Sequence, residues 1–334
     1  MIIHCLGGGL VGSFVISRLV DAGYEVHIFD IDDVRIEGSI MHVGDAIFAD
    51  HSGADLIINM LPGDIGHLAT ASLASTGQRI LDLSFSALTP DKLEGVTSTI
   101  IWDVGIAPGL SNMLLSMAVR EYGTLKQATI KVGGNPSEMD DKWSYMAPFS
   151  PIDVIAEYTR PARIIRDGEI QEVPAMSDLH TINANGREMD AFLTDGLRSV
   201  LNGISVEEMG EYTVRWPGHI QKYQLEQNNI VVEDLIEEWK FDINRSEFTW
   251  MEIAVETLDG LKFKWIVEDQ GLDGDSSMAR TTGLVTAQTA IAWLDRPELF
   301  APGVYAPEDL PNEVIQLIID VMKSEGVVIS SLKN

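Results

Sequence analysis

The stretch IIHCLGGGLVG, residues 2–12, decides the fold of the first part of this chain. Its apolar first half, residues 2–6, predicts a short β-strand, and the strand breaks into a G-x-G-x-x-G pattern at Gly7, Gly9 and Gly12. In dinucleotide-binding turns the first glycine permits the tight turn, the second lets the backbone approach a pyrophosphate, and the third lets helix and strand pack closely. The pattern therefore predicts a dinucleotide site; the alternative is an ordinary tight turn that binds no ligand.

The residues that follow complete a strand–helix–strand unit. Apolar side chains recur at helical spacing, and the start of this helix, at Leu10 and Val11, offers unpaired N–H groups to phosphates. A second strand, residues 24–29, ends at Asp30, whose carboxylate can accept both hydroxyls of an adenosine ribose and repels a 2′-phosphate. Arg35 could instead clamp a phosphate, but the two aspartates before it surround it with negative charge. We therefore expect NAD as the cofactor rather than NADP.

Short apolar runs continue to alternate with helical segments up to about residue 115. This alternation predicts an α/β fold with an N-terminal, doubly wound parallel sheet of the Rossmann type. Ligands of such sheets bind at the carboxyl ends of the strands. The residues at those ends, which we expect to contact the cofactor or the substrate, are Met60, Leu61, Pro62, Asp82, Ser84 and Asp103.

The pattern changes after about residue 125, where strand-like runs become frequent, and it turns helical again near the C-terminus. We predict a Rossmann domain over residues 1–115 and an α+β substrate domain over residues 116–283, with an antiparallel sheet. Residues 284–334 are predicted to be C-terminal helices that pack back on the Rossmann domain.

Composition limits the partners of the protein. The chain has 334 residues, and its 51 acidic against 23 basic side chains give a formal net charge of −28, which argues against binding nucleic acid or anionic membranes. No apolar run is long enough to cross a bilayer, and the chain starts directly with a core strand instead of a signal peptide. The single cysteine, Cys5, is expected in the core, and the seven histidines never stand at metal-ligand spacing. We therefore expect a cytoplasmic protein with a small-molecule partner and no metal.

A second informative stretch, residues 103–112, follows a strand directly. Two glycines and a proline make it a rigid loop at the ligand edge of the sheet, so Asp103, Gly105 and Asn112 are predicted to contact the substrate. The alternative is a plain strand-to-helix connection.

The order and spacing of several segments resemble the saccharopine dehydrogenase superfamily, and most of all its lysine 6-dehydrogenase branch. The segments that carry this resemblance are residues 7–12, 103–112, 132–136, 163–168, 191–196, 215–219, 278–282 and 303–308. The resemblance implies NAD-dependent oxidation of an amine on an amino acid. In the lysine branch, hydride leaves the ε-carbon, and the imine hydrolyses and cyclises to a piperideine carboxylate. It also implies that the second domain forms a homodimer.

Three segments depart from the lysine branch. Residues 61–67 do not match its longer aromatic loop, and residues 83–86 replace a stretch that contains glycine and histidine. Leu193 and Asp195 stand where that branch has His and Ser, while Thr194 is kept. All three lie where the family binds its substrate or cofactor.

Amine oxidation requires a base, and the resemblance implies partners for an amino-acid substrate. His219 and Asp82 are the predicted catalytic residues, because imidazole has an unperturbed pKa near 6.5 and Asp82 ends a strand beside the expected nicotinamide. Each has a structural alternative: a histidine that only holds a loop, or an aspartate that caps a helix. Asp103 and Asp195 are further candidates for the base. The other predicted substrate contacts are Thr194, Asp195, Arg198, Arg215 and Arg280, and Trp143 and Tyr145 could line the pocket.

The predicted function is NAD-dependent oxidative deamination of an amino-acid amine, with L-lysine as the leading substrate. One alternative is a saccharopine- or carboxynorspermidine-type imine reductase, although such enzymes prefer NADPH and Asp30 opposes it. Another is a non-catalytic relative that binds NAD.

Overall fold

The structure is a computed structural model that describes residues 1–333. The described chain forms two units. The first unit comprises Met1–Leu110 and Ala279–Met322, and the second comprises Ser111–Met278 together with the segment that begins at Lys323.

Strands and helices alternate along much of the described chain. The strands are β1 (Ile2–Leu6), β2 (Glu25–Asp30), β3 (Ile40–Val43), β4 (Leu56–Asn59), β5 (Arg79–Asp82), β6 (Thr99–Trp102), β7 (Leu125–Pro136), β8 (Ala162–Arg166), β9 (Glu169–Val173), β10 (His180–Ala184), β11 (Arg187–Leu193), β12 (Val206–Arg215), β13 (Glu247–Thr257), β14 (Lys262–Asp269), β15 (Gly303–Tyr305) and β16 (Val328–Lys333). The helices are α1 (Leu10–Asp21), α2 (Gly63–Leu73), α3 (Leu110–Tyr122), α4 (Pro151–Thr159), α5 (Val200–Gly203), α6 (His219–Glu226), α7 (Val232–Glu238), α8 (Ser277–Asp295) and α9 (Asn312–Ser324).

The sheet of the first unit is parallel throughout, with the strand order β15-β6-β5-β4-β1-β2-β3. The order reverses at β1, which pairs with both β2 and β4, and this reversal marks the ligand-binding edge of a doubly wound sheet. The predicted fold class is confirmed. The strand ends near Met60, Asp82 and Asp103 meet at this edge, as the sequence predicted.

Helix α8 returns to the first unit, which confirms the prediction for the C-terminal helices. A Cβ atom on Gly283 of α8 would lie 2.4 Å from the ring of Phe14 in α1, so only glycine allows this approach of the two helices. Phe14, Val15, Ile16 and Leu19 form the buried side of α1.

The second unit contains a mixed sheet, nine-stranded within residues 1–333, whose main path runs β10-β11-β12-β7-β13-β14-β16. The prediction of an antiparallel sheet was wrong in one place, because β7 and β12 pair in parallel. Parallel neighbours need a long crossover, and residues 137–205 supply it. β16 pairs with β14, so the last strand belongs to this sheet and not to the first unit.

An aromatic core packs between the sheet and the helices of the second unit. Its largest members are buried and come from five separate segments: Trp143, Tyr145, Tyr158, Phe192, Tyr223 and Trp239. Within residues 1–333 no helix combines the length and the apolar character that crossing a bilayer requires.

Candidate functional site

The glycine turn of the first unit has the geometry of a phosphate cradle. Gly7 adopts a φ of +93°, and a Cβ atom on Gly12 would lie 2.4 Å from the carbonyl oxygen of Gly7. A Cβ atom on Gly9, in contrast, would meet nothing within 4 Å. The first turn of α1, which begins at Leu10 and Val11, has no side-chain cap and no acidic residue. No side chain therefore caps its first backbone N–H groups, which are the groups that bind anions at helix N-termini.

Asp30 lies beside this turn, at the end of β2. One carboxylate oxygen accepts the N–H of Gly8 at 2.7 Å, and the other accepts the N–H of Asp32 at 3.0 Å. These bonds fix the carboxylate, while its remaining lone pairs can still accept hydroxyl groups. Arg35, the alternative phosphate clamp, is held by Asp33 at 2.6 Å.

Asp82 belongs to a buried polar network at the ends of β4 and β5. Its Oδ1 accepts the N–H of Ser84 at 2.8 Å and the side-chain amide of Asn59 at 3.3 Å. The same amide donates to the carbonyl of Gly66 at 2.7 Å. Asp82 thus orders the turn that follows β5, which is a structural role different from the helix cap that the sequence analysis gave as the alternative to a base.

The loop after β6 is tightly closed. Asp103 is buried with a φ of +64°, and the N–H of Gly105 donates to the carbonyl of Pro108 at 3.0 Å. A Cβ atom on Gly109 would lie 1.8 Å from the carbonyl oxygen of Gly105, so the loop requires glycine at that position. The rigid loop that the sequence predicted is therefore present at the ligand edge.

In the second unit, Arg215 and His219 are joined by a tyrosine that the sequence did not single out. Arg215, at the end of β12, donates from Nε to the Tyr158 hydroxyl at 2.9 Å, from Nη1 to the Val214 carbonyl at 3.0 Å and from Nη2 to the Tyr145 hydroxyl at 3.3 Å. The Tyr158 hydroxyl lies 3.0 Å from Nε2 of His219. Arg215 is only 3% exposed.

The environment of His219 differs from the prediction. Burial, assisted by the positive charge of Arg215, lowers the pKa of His219 to about 3, so its ring is neutral at neutral pH. Its Nδ1 lies 2.9 Å from the Trp143 carbonyl, which can only accept, so Nδ1 carries the proton and Nε2 accepts from Tyr158. A ring held in this way is poorly suited to be a base near neutral pH.

Glu157, the residue before Tyr158 on α4, was missed by the sequence analysis. Burial raises the pKa of Glu157 to about 7, although the positive charges of Arg215 and Arg160 oppose the shift. No local motif marks this glutamate. Only the fold brings α4 to the end of β12, and the one available signal was the succession of charged and aromatic residues at 157–160.

The other predicted substrate residues of the second unit have protein partners. Asp195 accepts from Nε of Arg163 at 2.7 Å and pairs with Nε of Arg160 at 3.0 Å, so two guanidinium groups would repel an incoming ammonium. The hydroxyls of Thr194 and Thr213 are 2.8 Å apart.

The remaining three predicted substrate residues are all buried. Asn112 donates to Ser199 at 2.8 Å. Arg198 has a φ of +49° and lies in the second unit. Arg280 was predicted in the substrate domain but lies in the first unit.

An open cleft of about 470 Å³ reaches the aromatic core of the second unit. Trp143 and Tyr145 form part of its wall, and Tyr145 also contacts Arg215. The pocket-lining role predicted for these two aromatic residues is consistent with this position. The rest of the lining includes five acidic and three basic side chains.

A family model and several solved structures are similar to this chain. Residues 105–253 match the saccharopine dehydrogenase C-terminal domain family, and this segment includes Tyr158, Arg215 and His219.

Two solved structures have a similar fold over the whole length of this chain. Saccharopine dehydrogenase (L-Glu forming) from Saccharomyces cerevisiae superimposes with a TM-score of 0.73 at 15% identity, covering 100% of this chain and 99% of that chain. Homospermidine synthase from Legionella pneumophila, solved in complex with NAD, gives a TM-score of 0.67 at 11% identity, covering 100% and 92% of the two chains. At these identities the likeness shows the fold.

The first unit also contains a histidine cluster that sequence spacing did not reveal. His4 and His51 approach to 3.0 Å through their Nδ1 atoms, and His27 and His42 approach to 2.9 Å. The rings of His4 and His27 stack at 5.2 Å, because the two residues are register partners on β1 and β2. Among residues 1–333, no three His, Cys, Asp or Glu side chains are arranged to hold a metal ion.

Proposed function

We propose that this protein is an NAD-dependent oxidoreductase that oxidises the amine of an amino acid. L-Lysine is the leading substrate, oxidised at the ε-carbon to give a cyclic imine carboxylate. The observation that carries the proposal is Arg215, a buried guanidinium that forms no ion pair in the described part of the chain. A buried cation without an anion is costly, and a substrate carboxylate would supply the anion.

The first unit supplies the cofactor site of this proposal. The backbone around Gly7, Gly9 and Gly12 and the start of α1 would hold the pyrophosphate, and Asp30 would accept the ribose hydroxyls and disfavour a 2′-phosphate. Gly9 supports the fit, since the space beside it is open. When bound, the nicotinamide supplies the hydride acceptor. The strand-end residues Met60, Leu61, Pro62 and Ser84 remain proposed cofactor contacts.

We propose different roles for Arg215, His219 and Asp82. Arg215 keeps its charge, because Tyr145, Tyr158 and Glu157 together raise its pKa although burial alone would lower it. His219 accepts from Tyr158 and so fixes the hydroxyl that contacts Arg215. We therefore propose a positioning role for His219, with Asp82 remaining the predicted base.

The protein is proposed to act as a homodimer in the cytoplasm, on a small amino-acid or amine substrate. Light scattering of the purified protein tests the oligomeric state. A mass equal to one chain would contradict the dimer.

A steady-state assay tests the proposed reaction. Purified protein is incubated with NAD and with L-lysine, saccharopine or L-ornithine, and NADH is followed by its absorbance. Saturable NADH formation with L-lysine supports the proposal. Turnover only with NADPH, an aldehyde and an amine would favour the imine reductase instead. NAD binding without turnover on any substrate would favour a non-catalytic relative.

A further inference from the structure

The four clustered histidines of the first unit form two ring pairs, and each pair joins the parallel sheet to one segment at its edge. His4 lies on β1 and His27 lies on β2, whereas His42 and His51 both belong to residues 40–51, which contain β3 and the turn after it. Nδ1 of His4 lies 3.0 Å from Nδ1 of His51, and Nδ1 of His27 lies 2.9 Å from Nε2 of His42. We call residues 40–51 the edge segment.

The edge segment buries few of its own side chains. Its strand, β3, is the last in the sheet order and pairs with β2. Within the segment only Ala46 and His51 are buried, and Val43 is 63% exposed. The side-chain amide of Gln78 also donates to the His51 carbonyl. Segments that bury little apolar surface open more readily than the core, so the two histidine contacts matter for holding this one closed.

Each ring pair holds one proton between its nitrogens when both rings are neutral. Nε2 of His51 lies 2.8 Å from the Ala46 carbonyl, which can only accept, so Nδ1 of His51 accepts from His4. In the second pair, Nε2 of His27 lies 3.0 Å from a carboxylate oxygen of Glu25, so Nδ1 of His27 accepts from the ring on β3. When both rings of a pair are protonated, two N–H groups face each other and the hydrogen bond is lost.

The charged groups around the cluster only partly offset positive charge on it. The rings of His4 and His27 stack at 5.2 Å and those of His27 and His42 at 5.1 Å, so charges on neighbouring rings repel each other. Besides the rings themselves, the titratable groups that face the cluster are Glu25 on β2 and Asp50 in the edge segment. These are two carboxylates for four rings.

The buried pair is held neutral while the edge segment is closed. Burial, together with the charges of the other rings, lowers the pKa of His4 to about 4, and burial lowers the pKa of His51. The Phe29 ring packs against both, at centroid distances of 4.8 Å and 4.6 Å. In an open segment both rings return toward the ordinary pKa of 6.5. The open state therefore binds more protons and is favoured as the pH falls below 6.5.

The edge segment also supports Asp30, the proposed ribose ligand. Val43 of β3 is the register partner of Asp30, and the N–H of Gly44 donates to the Asp30 carbonyl at 2.8 Å. The Asp30 carboxylate in turn accepts the N–H of Gly8 at 2.7 Å. Opening of the edge segment removes the support of Asp30 on its β3 side and loosens the carboxylate beside the glycine turn.

We propose that the edge segment is a pH-sensitive flap of the cofactor site. Protonation of the histidine pairs opens the edge segment, frees the main chain of Asp30 and weakens dinucleotide binding. The effect on the dinucleotide rests on the proposed NAD site, whereas the opening itself does not. A bound dinucleotide in turn favours the closed segment, because coupling between two sites is reciprocal.

Hydrogen exchange of the full chain, corrected for the intrinsic exchange rate, tests the opening. One histidine with a pKa of about 4 in the closed state and 6.5 in the open state raises the opening equilibrium by about tenfold between about pH 7.5 and about pH 5.5. We therefore expect the protection of residues 40–51 to fall by about tenfold or more at the lower pH, while the protection of β1 and β4 is kept.

The double variant His4→Gln/His51→Gln removes titration from the buried pair. Two amides can hydrogen-bond to each other and to the Ala46 carbonyl, so the closed segment is kept at neutral pH, which the melting temperature verifies. The change in protection between the two pH values is expected to shrink to less than about threefold. The control His180→Gln, on β10 of the second unit, should behave like the wild type. The wild-type comparison needs no substitution and decides the question even if the double variant does not fold.

Calorimetric titration with NAD at the same two pH values tests the coupling. We expect the wild type to bind NAD more weakly by about 3- to 10-fold at the lower pH, and the double variant by less than about twofold. Saturating NAD should restore the protection of residues 40–51 in the wild type at the lower pH.

Three results would overturn the flap. The first is protection of residues 40–51 that does not change with pH, and the second is protection that falls equally in β1 and β4. The third is an NAD affinity that is the same at both pH values although the edge segment opens. A protein that binds no NAD at either pH would contradict the proposed function instead, and hydrogen exchange would still decide whether the segment opens.

Discussion

At the scale of single residues, the second unit is organised by one buried hydrogen-bond chain. It runs from Arg215 through the Tyr158 hydroxyl to His219 and ends on the Trp143 carbonyl. Arg215 and His219 were identifiable from their family-like segment. Tyr158 and Glu157 were not, because they come from α4, about sixty positions earlier, and no local pattern predicts that α4 packs against the end of β12.

Replacing His219 by glutamine distinguishes a positioning role from a base. Glutamine can still donate to the Trp143 carbonyl and accept from Tyr158, so the expected loss in kcat is less than about tenfold. A general base would cost about 10²–10⁴. Steady-state kinetics decide between them, and a loss in the larger range would restore His219 as the base.

The dependence of folding stability on pH should also differ between the wild type and His219→Gln. The folded pKa of His219, about 3, lies below the unfolded value of 6.5, so the unfolded chain binds more protons between these values. The contribution of the neutral His219 ring to the free energy of unfolding is therefore fully present above pH 6.5 and is lost as the pH drops toward 3. Relative to His219→Gln, the wild type should lose stability over this window in chemical unfolding experiments. Parallel pH profiles of the two proteins would contradict the buried, neutral ring.

At the scale of elements, local patterns predicted the βα units of the first unit well. Each βα unit is marked in the sequence by a short apolar strand, a glycine or proline break and apolar residues at helical spacing. The second sheet was harder, since its parallel pair, β7 and β12, is joined only through a long crossover. The histidine cluster was missed for the same reason: register between strands, and not spacing within one, brings His4 and His27 together.

Two glycine variants test the turn between β1 and α1. Gly12→Ala places a Cβ atom 2.4 Å from the Gly7 carbonyl oxygen, and we expect a loss of about 1–3 kcal/mol in unfolding free energy. Gly9→Ala meets no protein atom within 4 Å, so it should fold normally but weaken NAD binding by about tenfold or more. Thermal unfolding and calorimetry with NAD measure both effects. Undiminished NAD binding by a folded Gly9→Ala protein would contradict the cradle.

We expect the histidine cluster to make the stability of the first unit sensitive to acid. Burial, together with the charges of His51, His27 and His42, lowers the pKa of His4 to about 4, below its unfolded value of 6.5. Stability from this site is present above pH 6.5 and is lost as the pH falls toward 4. His4→Phe, which keeps an aromatic ring beside Phe29, should reduce the fall in melting temperature between neutral pH and pH about 5. The control His180→Gln, outside the cluster, should behave like the wild type.

At the scale of the whole molecule, each unit contributes a distinct chemistry. The first unit has the glycine turn and Asp30 that we propose hold a dinucleotide, and the second has a buried cation, Arg215, that forms hydrogen bonds with two tyrosine hydroxyls. Composition and motif order predicted the fold class. They could not predict the side chains around Arg215, because these converge from segments far apart in the chain.

The measurement that tests the central claim most directly is NADH formation from NAD and L-lysine by the wild type and by Arg215→Lys. We predict saturable turnover by the wild type and a KM raised by about 10- to 100-fold in the variant, because lysine cannot reproduce the planar pair of donors. The control Arg166→Lys, at an exposed position on β8, should match the wild type. A wild type that binds NAD but forms no NADH with any amino acid, or an Arg215→Lys variant with unchanged KM, would contradict the account.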